Sequence, residues 1–250
     1  MRINFNFLVV IGLFLFGTHT AEAKLNVFAC EPEYAALIKV LAPDAEVFSA
    51  TTALQDPHHI QARPSLIAKM RRADLVVCAG ADLEIGWLPV LQRKAANANV
   101  RDKSSGLFFA TEQIETLDKL DKVDRSMGDV HEKGNPHVHF DPIRFLTIAK
   151  ALTKRLSAID AGQSSSYHQR FSEFTHQWQQ ATHRWQQKAA ILQGKNVIAY
   201  HSSFRYLFQW LQINQVGDLE PKPGLAPTTS HLVQLLKTVK NQQVSAVILT

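Results

Sequence analysis

Eleven histidines occur among the 250 residues, and three of them stand where the backbone is stiffened. In Asn135-Pro136-His137-Val138-His139-Phe140-Asp141-Pro142, two histidines sit one residue apart between two prolines. Pro136 fixes its own φ and pushes Asn135 toward an extended conformation, so this loop can aim an imidazole at one point with little ordering cost. Asp56-Pro57-His58-His59 upstream and Tyr200-His201-Ser202-Ser203 downstream share that character. One ring from each segment, His58, His137 and His201, would make a three-nitrogen metal site. Imidazole suits zinc, and three histidines with one further oxygen are a common tetrahedral set. A lone Pro-His is ordinarily just a loop histidine, and a histidine behind a strand fits a satisfied core residue equally well. Three such positions, spread along the chain, favour a shared ion. The rings must be deprotonated to bind, so affinity should weaken as pH falls through the histidine range near ~6.5.

The remaining candidates are weaker. His131 lies in a charged stretch, 117–134, that reads as a mobile excursion; a solvated loop residue is the first reading and metal recruitment the second. His168, His176 and His183 lie on a helical stretch without flanking breakers and read as surface residues. Cys30 and Cys78 each end an apolar run. A disulfide and a pair of buried thiols are both open, because spacing alone cannot establish the geometry. Neither forms a CxxC, which argues against a thiolate zinc site.

The elements that must position these rings alternate. Leu25 to Ala29 reads as a strand, Glu31 to Leu41 as a helix, and Ala45 to Phe48 as a strand. After the loop carrying His58 and His59, Pro64 opens a helix through Arg72 with Ser65 as its cap. Asp74 to Cys78 is a continuous apolar run of the parallel-sheet kind, followed by a helix around Leu83 to Ala95. This is a doubly wound α/β lobe, whose ligands belong beyond the carboxyl ends of its strands. An amphipathic helix follows Pro142 to about Ile159, and a second long helical stretch runs from Ser164 to Leu192. Alternation then resumes with strands at Asn196 to Tyr200, Ile213 to Leu219 and Val244 to Leu249, and helices at Phe204 to Leu211 and Thr229 to Lys240. The expected organisation is a leader over 1–23, an N-terminal α/β lobe over 24–141, a bridging helix over 142–163 and a C-terminal α/β lobe over 164–250. A lobe of this type should not stop on a naked buried strand, which predicts a C-terminal truncation or an incomplete second lobe.

Met1-Arg2, the apolar run Phe7 to Phe16 and Ala21-Glu22-Ala23 form a secretory signal peptide, cleaved near Ala23. Its apolar core is well short of the ~20 residues a spanning helix needs. No later segment is long and apolar enough either, so the exported chain is expected not to span a membrane. Val27-Phe28-Ala29-Cys30 superficially resembles a lipoprotein site, yet reads better as a buried strand. The net charge of +5 comes from scattered basic residues without interleaved aromatics, which speaks against nucleic acid as a partner.

Asp56-Pro57-His58, Arg63-Pro64-Ser65 and Ala73-Asp74-Leu75-Val76-Val77 with Gly80 and Leu83-Glu84 resemble the exported solute-binding proteins of zinc and manganese ABC importers. Asn135 to Pro142 looks like that family's second ligand motif, with Asn135 where Asp is usual and His139 where Trp is frequent. Tyr200-His201-Ser202-Ser203-Phe204-Arg205-Tyr206 is similar to its third. The resemblance covers nearly the whole mature chain. It implies two α/β lobes bridged by a long rigid helix, a metal held between them by His58, His137 and His201, and small rather than wide changes on release. An imidazole at the third position resembles the zinc branch, so zinc is expected before manganese, in line with ligand preference. The family's fourth ligand is a carboxylate in the C-terminal part of the second lobe, and no position before Thr250 matches it. Water, His59, His139 and Glu220 remain the alternatives. The implied role is capture of zinc in the periplasm and delivery to a membrane permease of an ABC importer, with the chain acting as a monomer and not as an enzyme.

Two rivals stand beside this reading. A zinc-dependent hydrolase would also use three histidines and an open fourth position, but there is no H-E-x-x-H and no G-x-S-x-G around Ser202. A metal-dependent adhesin of the same fold would share every ligand.

Overall fold

Branched and aromatic residues in runs of two or three make the strands of the first lobe, and a proline in the first turn starts each of its helices. The computed structural model describes residues 24–249. The leader expected over 1–23 therefore lies outside the described residues. Strands β1 (Asn26–Ala29), β2 (Glu46–Ser49), β3 (Leu75–Cys78) and β4 (Leu107–Phe109) form one parallel sheet in the order β2-β1-β3-β4. Helices α1 (Pro32–Leu41), α2 (Pro64–Arg71) and α3 (Leu88–Ala95) cover it from both sides. Because strand side chains alternate, Val27, Ala29, Leu75 and Val77 enter one buried core while Phe28, Cys30, Val76 and Cys78 enter the other. Cys30 and Cys78, at the ends of neighbouring strands, are joined as a disulfide with Cα atoms 4.8 Å apart.

Helix α4 (Pro142–Ile159) buries Phe145, Ile148, Ala149, Leu152 and Leu156 in the first of these cores. Asp141 caps it, accepting from the Ile143 and Arg144 amides at 2.8 and 3.0 Å. A short turn at Ala161–Gln163 leads into α5 (Ser164–Ala189), which packs on α1 and α4 and runs into the second lobe. There β5 (Asn196–Ala199), β6 (Asn214–Asp218) and β7 (Val244–Ile248) form a parallel sheet in the order β6-β5-β7, with α6 (Arg205–Leu211) and α7 (Thr229–Val239). Both lobes are of the α/β type. Among the described residues, no helix is long and apolar enough to cross a membrane.

Four local expectations are corrected. Ser65 is not a cap, since α2 begins at Pro64 behind Arg63 and no side chain caps it. The helix expected from Leu83 starts only at Leu88: Ala81 and Asp82 adopt left-handed φ values of 49° and 66°. The Glu84 carboxylate folds that segment back by accepting from the Ala79 and Gly80 amides at 2.8 and 3.2 Å. Strand β4 has no counterpart in the sequence reading. The segment 117–134 is not a free excursion: Asp118 pairs with Arg205 at 3.2 Å, and the Asp129 amide donates to Pro223 at 2.8 Å.

Candidate metal centre

Three loops at the carboxyl ends of strands or just before α4 deliver the three rings. The loop after β2 carries His58. Its turn is closed by Asp56, whose Oδ1 accepts from the His58 amide at 2.9 Å and also meets the ring Nδ1 at 2.7 Å. Trp87, buried against the core, donates from Nε1 to the Pro57 carbonyl at 2.8 Å and pins the loop from beneath. His137 follows Pro136 and precedes a single turn at Val138–Phe140. The approach to it demands Gly134, at φ +100°, where a Cβ would lie 2.4 Å from Thr116 Oγ1. His201 comes two residues after β5. Tyr200 extends the ladder by donating to Ile248 at 2.8 Å, and the chain then turns at Ser202–Phe204.

His58, His137 and His201 converge: each offers a nitrogen within 4.8 Å of the others. Their ring centroids are 5.5 to 6.0 Å apart. They share the wall of a cavity of about 470 Å³. A larger cavity, about 680 Å³, lies in the first lobe beside Glu84 and Lys133 and contains none of the three. Nδ1 of His58 is engaged by Asp56, and Nδ1 of His201 meets Glu220 Oε2 at 2.7 Å. Those bonds leave Nε2 of each ring as the nitrogen available to a metal. His137 is the buried member, and its Nε2 has no hydrogen-bond partner.

Electrostatics favour a neutral ring at His137 and at His131. Burial, reinforced by the surrounding histidines, holds the His137 imidazole well below its ordinary range. Burial and the His58 charge push His131 down to about 4. For Asp56, burial works against ionisation. Hydrogen bonds from the His58 amide and ring outweigh it, so the carboxyl is held below its usual value.

The structure separates the other candidates. His59 is exposed and faces Asp129 at 3.5 Å. His139 turns toward Glu33, 3.1 Å from its carboxylate, and burial lowers its pKa. Glu220 supports His201 and is itself fixed by the Gly224 amide at 3.0 Å. None of the three joins the converging group. His176 and His183 meet Gln180 and Gln187 on the α5 surface. His131, read first as a solvated loop residue, instead brings Nε2 within 3.3 Å of His58 Nε2 and stacks on that ring. No local signal marked it, because its placement depends on how segment 117–134 crosses to the second lobe. Asp56 was findable as the acidic residue two before His58; Glu220, 19 residues from His201, was not recognisable as its support.

Two parallel α/β lobes with a histidine cluster between them define a solute-binding architecture with a metal-binding cleft. The family model described as zinc-uptake complex component A, periplasmic (ZnuA) matches residues 27–250. The chain belongs to this family, whose members are substrate-binding proteins of metal ABC importers and not enzymes. The metal ABC transporter substrate-binding lipoprotein SloC of Streptococcus mutans is 24% identical over 248 residues, covering 96% of this chain and 77% of that protein. The zinc-binding lipoprotein AdcA of Streptococcus pneumoniae is 22% identical over 229 residues, covering 90% of this chain; the chain spans 45% of AdcA. A crystal structure of ZnuA superposes with a TM-score of 0.75 at 19% identity, with 91% of each chain covered. That likeness bears on the fold.

Proposed function

We propose that this chain captures zinc, in preference to manganese, outside the inner membrane and delivers it to the permease of an ABC importer. His58, His137 and His201 are the ligands in this reading. The observation that carries it is the buried, unpartnered Nε2 of His137, in a ring that brings a nitrogen within 4.8 Å of nitrogens of His58 and His201. A buried polar atom left without a partner costs about 1–3 kcal/mol, and a bound cation removes that cost. All-imidazole donors favour zinc, whereas a carboxylate in the set would favour manganese. His131 contacts His58 at 3.3 Å but stands outside the converging group of three. The family assignment supports delivery to a permease; the periplasmic location after removal of a leader near Ala23 and action as a monomer are further parts of the same proposal.

Metal analysis of protein exported to the periplasm tests it. Wild type should retain one zinc per chain, and His137→Ala and His201→Ala should each lose it. Retention of zinc by both variants, or manganese in place of zinc in wild type, would overturn the assignment.

A further inference from the structure

Cys30 directly follows β1 and Cys78 ends β3, the two central strands of the first sheet. From β1 the chain goes to β2 on one side, then crosses to β3 on the other. The crevice between β1 and β3 is therefore the switch point at which doubly wound sheets bind their ligands. Backbone bonds hold the pair in place as well as the disulfide does. The Cys30 amide donates to the Val77 carbonyl at 2.8 Å, and the Ala110 amide donates to the Cys78 carbonyl at 2.9 Å. Two buried acids adjoin the cysteines, Glu31 and Glu84. One oxygen of each accepts from the Ala79 amide, at 3.1 and 2.8 Å. Glu31 is 3% exposed, and its Oε1 has no hydrogen-bond partner. Both sulfurs and a Glu84 oxygen lie within 4.8 Å of one another, in a group separate from the three histidines.

We propose that Cys30, Cys78 and Glu84 form a second cation site, closed by the disulfide and opened by its reduction, for a thiolate-preferring divalent cation such as zinc or cadmium. No CxxC is needed, because neighbouring parallel strands bring together cysteines that are 48 positions apart. Two carboxylates side by side in a dry core call for a cation or a shared proton. Glu84 also lines the first-lobe cavity of about 680 Å³, which offers a path from solvent. A dithiol gives two electrons and two protons to the Sγ–Sγ bond and leaves as a disulfide. The cation then displaces both thiol protons to water, so that two thiolates and one carboxylate face it. Sulfur and carboxylate oxygen are both ordinary zinc ligands. Glu31 adds negative charge beside them. This site is independent of the histidine cluster, so either reading can fail without the other.

The test reduces the full chain with excess small dithiol, desalts it without oxygen and titrates it with Cd²⁺ beside the oxidised chain. Thiolate-to-cadmium charge-transfer absorption in the ultraviolet reports sulfur ligation, to which imidazole contributes nothing. The reduced chain should take one Cd²⁺ more than the oxidised chain, and the absorption should appear in the reduced chain alone. Cys30→Ser should lose that extra ion. Glu84→Gln should weaken it by on the order of tenfold or more. A reduced, folded chain without the absorption overturns the proposal, as does a folded Glu84→Gln variant that binds as tightly as wild type. A disulfide that resists the dithiol overturns it too. If Glu84→Gln does not fold, Glu84→Asp, shorter by one methylene, takes its place; weaker binding is again expected and unchanged binding again overturns the proposal. If reduction itself unfolds the chain, Cd²⁺ should restore cooperative thermal unfolding, and failure to do so is equally contrary.

Discussion

The two lobes hold their share of the site in different ways. The first lobe packs a four-stranded sheet between two extensive buried cores, and strands β1 and β3 are almost fully enclosed. The second has three strands and two small apolar clusters of three buried residues each. Leu75 of β3 is 0% exposed, whereas Leu236 of α7 is 67% exposed and Val247 of β7 is 51% exposed. His58 and His137 therefore sit on a rigid base, while His201 rides on a lightly buried one and depends on groups that cross the cleft. Tyr206 illustrates this dependence: it belongs to α6 of the second lobe, yet its ring is buried in the core of the first. Rigidity at such a site resides where apolar burial is dense, and polar ties must supply the remainder.

Breaking the first lobe should have the largest effect. Trp87→Ala removes a side chain that is 1% exposed and releases the Pro57 carbonyl. A loss of about 3–5 kcal/mol in denaturant unfolding is expected, together with weaker metal binding through a loosened His58. Next comes Glu220→Gln, which keeps the shape but discharges the group behind His201. Weaker zinc binding by roughly 10–100-fold is expected in chelator competition. Asp56→Asn should cost less, because the Asp56 side chain is 56% exposed and that of Glu220 only 9%. Equal losses at the two positions would contradict the contrast between the lobes.

A third difference is pH-dependent. Glu31 and Glu84 meet in the first lobe beneath the disulfide. Burial raises Glu84 from 4.5 to about 7, and burial with the neighbouring Glu84 and Glu33 charges raises Glu31 well above its usual value. The folded protein thus holds a proton more tightly than the unfolded chain. The associated stability is fully present below the unfolded carboxyl value and is lost as pH rises through about 7. Taken alone, the pair lowers the melting temperature by a few degrees from pH 5 to pH 8, at about 2–4 °C per kcal/mol for a chain of this size, and it opposes the rise that the lowered His131, His137 and His139 contribute below about pH 6.5. Glu84→Gln should therefore shift the pH dependence toward higher stability at pH 8 relative to pH 5; an unchanged profile would remove the pair as a contributor. The smallest effect belongs to the second lobe's surface. Leu236→Ala should change stability by no more than about 0.5 kcal/mol, which would confirm that α7 adds little burial at that position.

Much of this contrast was legible in the residues. The continuous apolar run before Cys78 and the alternation of strands with proline-started helices specified parallel α/β lobes. Three histidines bounded by prolines or strand ends marked the loops whose rings meet. What escaped was set by distant contacts. Leu107 to Phe109 is too short to announce a strand without β3 beside it. The stretch from Leu83 has helical composition, yet the Glu84 carboxylate is occupied by the Ala79 and Gly80 amides and holds a turn in its place. His131 reaches His58 only because the charged segment around it is anchored on Arg205 and Pro223 of the second lobe.

X-ray absorption at the zinc edge of the loaded full chain examines the site most directly. Three imidazole nitrogens at about 2.0–2.1 Å are predicted, with their outer-ring scattering diminished by one ring in His201→Ala. A first shell dominated by oxygen, or a wild-type spectrum unaltered by loss of His201, would contradict the account.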